Sequence, residues 1–307
     1  MIRNLQTTGP AGLDRDLLPM RLWERAKRFG IWNPSDIDFS PDRNDWWKLD
    51  ELEREVILHL SAMFQAGEES VTLDLLPLIE VVAREGWLEE ELYLTSFLWE
   101  EAKHVDVFRR FLDEVADARE DLSRFHGPHY RSLFYESLPE ALGALKQDDS
   151  PQAMARASVT YNLVVEGVLA ETGYHAYHEI LEQHDLMPGM RRAVAHLKSD
   201  EARHLAYGVF LLSRLVAQHG DTVWETIDSQ MNTLMPAALG TISEIFDAYE
   251  RMPFGLTLDA FSSYALTQFQ RRYARIERAR HQSLDQILGQ RLEDDEGTAE
   301  TSASPAS

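Results

Sequence analysis

The sequence predicts an all-α protein built as a helical bundle, and three observations support this prediction. Apolar residues recur at helical spacing through long stretches after residue 44, alternating strand patterns are nearly absent, and Gly or Pro separates one stretch from the next. Several stretches reach about 30 residues, or roughly 45 Å at 1.5 Å per residue. Helices of that length are typical of antiparallel bundles, in which each helix buries one face against its neighbours.

The predicted elements follow one another along the chain. Residues 1–44, punctuated by Gly9-Pro10, Pro34 and Pro41, are predicted to be largely irregular, and Asp45 is the predicted N-cap of the first helix. Helices are then predicted over approximately 45–76, 87–118, 130–146, 151–184, 187–219, 221–250 and 257–289. Residues 291–307 are acidic and rich in small residues, so a disordered acidic tail is predicted there. Since no other segment resembles a linker, residues 1–290 are predicted to form a single helical domain.

Composition excludes several classes of function. The chain has 307 residues, 44% of them hydrophobic, which is ample for a large core. Its formal net charge is -22, with 52 acidic and 30 basic residues, so a nucleic-acid surface is not expected. The absence of cysteine rules out disulfides, iron–sulfur clusters and thiolate zinc sites. No apolar run approaches the roughly 18 residues of a membrane span, and no signal peptide is recognisable, so a cytoplasmic protein is expected.

A duplicated motif points to metal chemistry. Of the eleven histidines, only His104 and His204 lie three residues after a glutamate, in Glu101-Ala102-Lys103-His104 and Glu201-Ala202-Arg203-His204. An acidic residue precedes each motif, so the two strings are near copies 100 residues apart. One such match would be uninformative, but two copies within predicted helices are not. At a spacing of three, both side chains of a copy can reach one metal ion.

Two further glutamates complete the pattern. Glu68 precedes Glu101 by 33 residues and Glu166 precedes Glu201 by 35, which suits a helix, a connection and a return helix. One Glu from each of two helices and a Glu-x-x-His from each of two others is the di-iron or di-manganese pattern of ferritin-like four-helix bundles. The predicted metal ligands are therefore Glu68, Glu101, His104, Glu166, Glu201 and His204.

The surroundings of these residues support the metal site. All four glutamates lie on apolar helical stripes that are expected to face the core, where ionised carboxylates are costly unless cations compensate them. Carboxylate and imidazole ligands suit iron and manganese. Ligating histidines usually donate their other N–H to a carboxylate, and Asp200 is either such a partner for His104 or a solvated side chain.

Five segments resemble a known family. They are residues 32–39 (WNPSDIDF), 66–71 (AGEESV), 97–104, 161–167 (YNLVVEG) and 200–204, and the resemblance covers about residues 20–290. The chain resembles the ribonucleotide-reductase-small-subunit-like group and, within it, the ligand-binding oxidases with a manganese/iron centre. This implies a ferritin-like core with additional helices. It also implies manganese at Glu68, Glu101 and His104 and iron at Glu166, Glu201 and His204, with a di-iron centre as the alternative.

The resemblance implies an activity as well. Oxidases of this family activate dioxygen for C–H oxidation, bind a long-chain fatty acid at the metals and form a valine–tyrosine ether cross-link, which maps onto Val71 and Tyr161. Val71 lies one turn after Glu68, but Tyr161 lies five residues before Glu166, about 140° away on a regular helix. A local bulge is needed to bring Tyr161 to the metals. The apolar residues available for a fatty-acid tunnel equally form a core, and homodimerisation is implied by the resemblance alone.

The sequence leaves two alternatives to the oxidase. A radical-generating small subunit of ribonucleotide reductase commonly has Asp in place of Glu68, a radical tyrosine at the position of Phe108, and a tyrosine near the C-terminus, whereas the last tyrosine here is Tyr273. Some reductase subunits with a manganese/iron centre also carry Phe at that position. Ferritin-like metal storage fits less well, because the chain is far longer than a compact storage subunit.

Overall fold

The computed structural model describes residues 12–289, and every regular element in this part of the chain is helical, which confirms the all-α prediction. The α-helices are α1 (Leu18–Phe29), α2 (Ser40–Trp46), α3 (Glu51–Asp74), α4 (Leu76–Glu85), α5 (Leu88–Phe111), α6 (Pro128–Arg131), α7 (Leu138–Ala144), α8 (Pro151–Ser158), α9 (Glu171–Tyr177), α10 (Pro188–His219), α11 (Asp221–Asp247), α12 (Leu258–Arg278) and α13 (Leu284–Leu288). None of the helices within residues 12–289 is long and apolar enough to cross a membrane. The predicted tail, 291–307, lies outside the described residues, so the domain boundary stays a prediction.

Four long helical runs form the core around the predicted metal ligands. They are α3, α5, α10 and the run formed by α8, a π-helical segment (Val159–Ala170, called the π segment below) and α9. Helix α3 packs on α5, while α10 packs on both α5 and the π segment. Helices α11 and α12 cover the π segment from outside. Each core run carries one or two of the predicted ligands, as the sequence pattern requires.

The N-terminal region was wrongly predicted to be largely irregular. Pro19 lies in the first turn of helix α1, which favours a helix start there. Leu18, Leu22 and Ala26 form a buried stripe against α5 and α10. Asp45 is not the cap of the first core helix but part of α2, and its carboxylate accepts a hydrogen bond from the Met187 amide. Frequent Pro and Gly obscured two short amphipathic helices.

Other boundaries also differ from the prediction. Helix α3 begins at Glu51, because Asp50 and Glu53 form a reciprocal capping box with backbone hydrogen bonds of 2.8 and 2.9 Å. A break at Leu75 separates α3 from α4, and the unpredicted helix α4 carries a proline in its first turn, where no amide donor is needed. The last predicted helix, 257–289, is interrupted after Arg278.

A buried carboxylate fixes the start of α10. The Asp42 oxygens accept hydrogen bonds from the Gly189 amide at 2.8 Å and the Met190 amide at 2.6 Å. Burial nevertheless dominates and raises the pKa of Asp42 to about 6. The folded protein therefore binds this proton more tightly than the unfolded chain, so the contribution of Asp42 to stability falls as pH rises from about 4 to about 6.

Asp42→Asn is expected to remove this pH dependence, since an amide does not titrate. The melting temperature of the wild type, minus that of the variant, should decrease between pH 4 and pH 7. Thermal unfolding of the metal-free proteins across this range measures the difference. A constant or increasing difference would contradict the raised pKa.

Candidate metal centre

The structure brings the six predicted ligands together in two overlapping clusters. Glu68, Glu101, His104 and Glu201 form the first, and Glu101, Glu166 and His204 form the second. All are buried, and within each cluster one ligand atom per residue lies within 4.8 Å of the others. The imidazole ring centroids are 5.8 Å apart. The two clusters therefore share Glu101 and lie side by side in the bundle.

The distances show how the shared carboxylates are arranged. His104 Nδ1 lies 3.5 Å from Glu68 Oε2, 3.5 Å from Glu201 Oε1 and 3.9 Å from Glu101 Oε2. His204 Nδ1 lies 3.0 Å from Glu101 Oε1, 3.5 Å from Glu201 Oε2 and 3.6 Å from Glu166 Oε1. Glu101 and Glu201 thus present one oxygen to each histidine, a bridging arrangement between two sites.

These side chains fit divalent metal ions. Six atoms of the predicted ligands are buried without a regular hydrogen bond to any residue within 12–289, and they lie at the two clusters: both Glu101 oxygens, Glu166 Oε1, Glu201 Oε2, and Nδ1 of His104 and of His204. Burial raises the pKa of Glu101 to about 8, and burial together with repulsion from Glu201 raises that of Glu166 well above its usual value. Buried polar atoms without a partner cost free energy of folding unless a cation binds them. Carboxylate oxygen and imidazole nitrogen are ligands that suit manganese and iron.

The outer nitrogens of the histidines are held in a crosswise manner. His104 Nε2 lies 3.4 Å from Asp200 Oδ2, as one of the two readings of Asp200 predicted, and His204 Nε2 lies 2.9 Å from Glu100 Oε2. Each acidic residue belongs to the motif copy opposite its histidine. Such partners fix the ring orientation and the tautomer of a ligating imidazole. The role of Glu100 was missed, although the duplicated acid before each motif signalled it.

A positively charged side chain joins the two acidic partners. The Arg203 guanidinium donates to Glu100 Oε1 at 2.6 Å and also to Asp200 Oδ1. Asp200 Oδ2 further accepts from Trp32 Nε1 and from Lys103 Nζ, each at 2.9 Å. Both carboxylates of the outer layer, Glu100 and Asp200, are therefore hydrogen-bonded through both oxygens, whereas the inner carboxylates are not.

The π segment supplies the bulge that Tyr161 needs. In π-helical geometry the hydrogen bonds run between residues five apart, so Tyr161 and Glu166 lie on the same face. The Tyr161 ring is buried and lies 5.8 Å from the Phe97 ring, edge to face. Its hydroxyl has no hydrogen-bond partner among the described residues. Burial and the nearby carboxylates, Glu101 foremost, raise its pKa well above the usual value.

An amide in the same segment orients Glu166. Asn162 Nδ2 donates to Glu166 Oε2 at 2.9 Å, and Asn162 Oδ1 accepts from the Ser158 hydroxyl at 2.8 Å. Sequence reasoning missed Asn162, because on a regular helix a residue four before Glu166 suggests only a surface pair. Tyr174 was also missed; its hydroxyl donates to Glu68 Oε1 at 3.1 Å.

An apolar cavity opens onto one side of the carboxylates. Glu68, Glu101, Glu166 and Glu201 line it at one end together with Val71. It continues along α3 to Val56, a distance of roughly 18 Å for twelve helical residues. Its other walls are almost entirely aliphatic or aromatic. The metal ligands thus form the single strongly polar end of a long apolar pocket.

Gly208 permits the close approach of α10 to the π segment. A Cβ at this position would lie 2.4 Å from Asn162 Cβ. Gly208→Ala is therefore expected to destabilise the protein by about 1–3 kcal/mol through overpacking and to weaken metal binding, because it displaces Asn162 from Glu166. Chemical denaturation and metal titration measure the two effects.

Gly143→Ala is the matched control for this substitution. Gly143 also lies within a helix, but a Cβ there would meet no described atom within 4 Å. The control should gain about 0.5–1 kcal/mol from helix propensity alone and bind metal normally. Equal stability of the two variants would contradict the close packing at Gly208.

Comparison with known proteins gives consistent matches. The family model for the ribonucleotide reductase small chain matches residues 20–277. The chain is 37% identical to an R2-like ligand-binding oxidase from Sulfolobus acidocaldarius, with a TM-score of 0.85 over 93% of this chain and 99% of that one. It is 38% identical to an R2-like ligand-binding oxidase with an aerobically reconstituted Mn/Fe cofactor, with a TM-score of 0.85 over 90% of this chain and 98% of that one. A valine-to-leucine variant of such an oxidase, reconstituted anaerobically with Mn/Fe, gives 38% identity and a TM-score of 0.83 over 89% and 98%.

Proposed function

The chain belongs to the R2-like ligand-binding oxidases of the ribonucleotide reductase small-chain family, and we propose that it is a dioxygen-activating oxidase with a heterodinuclear manganese/iron centre. The observation that carries this proposal is the set of six unpaired buried donor atoms that converge on the two clusters. Relatives reconstituted with Mn/Fe support the choice of metals.

The six ligands have distinct roles in this proposal. Glu68, Glu101 and His104 would hold manganese, and Glu166, Glu201 and His204 would hold iron. Glu101 and Glu201 each have one oxygen near either histidine. When bound, the metal pair supplies the redox chemistry that couples reduction of dioxygen to oxidation of a C–H bond. Asp200 and Glu100 keep each imidazole in the orientation and tautomer in which Nδ1 faces the ion.

Two side chains beside the metals are the proposed site of oxidation. Val71 would lose its Cβ hydrogen and Tyr161 its hydroxyl hydrogen as a carbon–oxygen bond forms between them, with the two electrons and the two protons passing to dioxygen. The hydroxyl of Tyr161 is buried and has no hydrogen-bond partner among the described residues, so a new bond to its oxygen would break no existing hydrogen bond. Val71 lines the cavity beside Glu68.

A long-chain fatty acid is the proposed ligand of the cavity. Its carboxylate would lie at the polar end beside the metal ligands, and its chain would follow the apolar walls along α3. Solvent extraction of the purified protein, followed by mass spectrometry of the extract, tests this. We expect about one fatty acid per chain. Recovery of no lipid, or of lipid equally from a protein whose cavity is filled by Ala170→Phe, would contradict it.

Metal loading under controlled oxygen tests the oxidase itself. The metal-free protein is incubated with equal manganese and iron, first without and then with dioxygen, and the metals are quantified after gel filtration. We expect one manganese and one iron per chain and consumption of dioxygen only by the loaded protein. Two irons per chain would favour the di-iron alternative, and absence of bound metal would exclude the proposal.

A radical-generating reductase subunit remains the competing function. Phe108, at the position of the usual radical tyrosine, is buried and stacks on Phe64 with ring centroids 4.8 Å apart, so no phenol is present there. Restored reductase activity on mixing with a reductase large subunit would favour that alternative. A homodimer and a cytoplasmic location are also proposed; sedimentation and cell fractionation, respectively, test them.

A further inference from the structure

Two buried tyrosines lead away from the metal centre on the His204 side. The Phe97 ring stacks on the His204 imidazole with centroids 3.6 Å apart and planes 8° apart. The Tyr93 ring lies 6.0 Å from Phe97, and the Tyr207 ring lies 5.2 Å from Tyr93. Both tyrosines are fully buried. Closely spaced aromatic rings therefore run outward from a metal ligand without interruption.

The outer end of this series reaches the surface. The Tyr207 hydroxyl donates to Glu90 Oε2 at 2.9 Å, and Glu90 Oε1 lies 2.9 Å from Arg214 Nε. The Arg214 guanidinium in turn lies 4.7 Å from the ring centroid of Trp87, which is partly exposed. A third oxidisable ring, that of Trp87, thus lies at the outer end of the series.

The hydroxyl groups of the two tyrosines differ in one decisive respect. A phenol that gives up an electron becomes a strong acid, so its proton needs an acceptor nearby. Tyr207 has the Glu90 carboxylate, whereas the Tyr93 hydroxyl has no hydrogen-bond partner among residues 12–289. Tyr207 therefore has the proton acceptor that a tyrosyl radical requires, whereas Tyr93 does not.

Stability alone gives little reason for a buried Glu90–Arg214 ion pair. Replacement of a buried ion pair by well-packed apolar residues is often neutral or stabilising. A carboxyl group that lies beside Arg214 and accepts a hydrogen bond from a phenol is, in contrast, what proton-coupled oxidation of Tyr207 requires.

We propose that Tyr93 and Tyr207, with Glu90 as proton acceptor, form a redox branch. This branch delivers one electron at a time to the metal centre when dioxygen has oxidised the centre and the cross-link has not reduced it. This inference rests on the proposed oxidase function. One electron passes from Tyr207 through Tyr93 to the centre, and the Tyr207 hydroxyl proton passes to Glu90. A one-electron donor at the surface then returns an electron through Trp87, and Glu90 returns the proton. In sum, the external donor is oxidised and the centre is reduced by one electron.

Rapid-freeze electron paramagnetic resonance of the manganese/iron-loaded Tyr161→Phe protein, mixed with dioxygen, tests the branch, because this variant cannot spend the oxidising equivalents on the cross-link. We expect a transient tyrosyl radical in this background, its complete loss when Tyr207→Phe is added, and slower formation when Tyr93→Phe is added. Ascorbate, the donor used as probe, should shorten the lifetime of the radical. Removal of the Tyr207 hydroxyl leaves Glu90 paired with Arg214, so this variant is expected to fold and to load metals.

Two other buried tyrosines provide controls. Tyr174, which donates to Glu68, is a competitor for the radical, whereas Tyr177 shares a hydrogen bond with the Ser61 hydroxyl rather than with a carboxylate. The signal should persist when Tyr177→Phe is added to the Tyr161→Phe protein. Loss of the signal on addition of Tyr174→Phe, in a protein that still loads both metals, or no Tyr207-dependent radical in a Tyr161→Phe protein that loads both metals, overturns the branch. Failure of metal loading or of the cross-link in the wild type would instead contradict the oxidase proposal.

Discussion

Replacement of Glu101 with glutamine is expected to abolish the binding of both metal ions in one step. The two carboxylate oxygens of Glu101 face different histidines, Oε1 towards His204 and Oε2 towards His104. A neutral amide offers one weaker oxygen and presents an NH₂ group to the other site. Metal analysis after loading with manganese and iron measures the result, and one retained ion per chain would contradict the bridging role.

The same substitution is expected to stabilise the metal-free protein. Burial raises the pKa of Glu101 to about 8, so at pH 7 the folded state must take up a proton that the unfolded chain lacks. Glutamine avoids this cost, and the gain is about 3 kcal/mol at pH 7, from 1.36 kcal/mol for each of the roughly 2.5 pH units above the pKa of the unfolded carboxyl. The gain should shrink towards zero near pH 4.5, where the unfolded carboxyl is also becoming protonated.

Glu91→Gln is the matched control for both effects. Glu91 lies ten residues earlier on the same helix, α5, and is partly exposed. The Glu91→Gln variant should bind both metals. Its free energy of unfolding should lie within about 0.5 kcal/mol of that of the wild type, as is usual for surface substitutions. Combined loss of metal binding and gain of stability only in Glu101→Gln would identify a site that is maintained for function at the expense of stability.

Tyr161→Phe is expected to abolish the cross-link completely while both metals remain bound. The phenol oxygen is the atom that forms the new bond, and none of the six ligands is altered. Peptide mass spectrometry of aerobically loaded protein measures it: in the wild type, the peptides that contain Val71 and Tyr161 should be joined and lack two hydrogens. Val71→Ala should also prevent the bond, since it removes the tertiary carbon.

Tyr177→Phe controls for the loss of a buried hydroxyl as such. Tyr177 lies within hydrogen-bonding distance of Ser61, 2.7 Å between the oxygens, and it is not a predicted participant. Its variant should form the normal cross-link. A linked peptide in Tyr161→Phe, or none in the wild type, would show that Val71 and Tyr161 are not the reacting pair.

The sequence was sufficient to predict the helical bundle and the grouping of the six buried donors. The reason is that a doubled Glu-x-x-His with two upstream glutamates on apolar stripes allows few other arrangements. Glu100 shows the limit of that reasoning. It lies beside Glu101 in an acidic pair, and only packing decides which of two adjacent carboxylates faces the ligands and which faces the opposite histidine.

The geometry around Tyr161 could not be derived from spacing. Periodicity distinguishes helix from strand, but a helix with one added residue per turn has the same composition as a regular one. The short helices α1, α2 and α4 were missed for a different reason. They are held by contacts with distant helices, such as that of α1 with α5 and α10, which no local pattern reveals.

The crosswise support of the histidines has a consequence for how this protein can change in evolution. Because the acid of one motif copy orients the histidine of the other, neither copy is a self-sufficient unit, and a loss in one half damages the site built mainly by the other half. The two motifs are therefore expected to change together in evolution. A substitution at Glu100 requires a compensating substitution on α10, and one at Asp200 requires a compensating substitution on α5, so the metal centre is kept or lost as a whole.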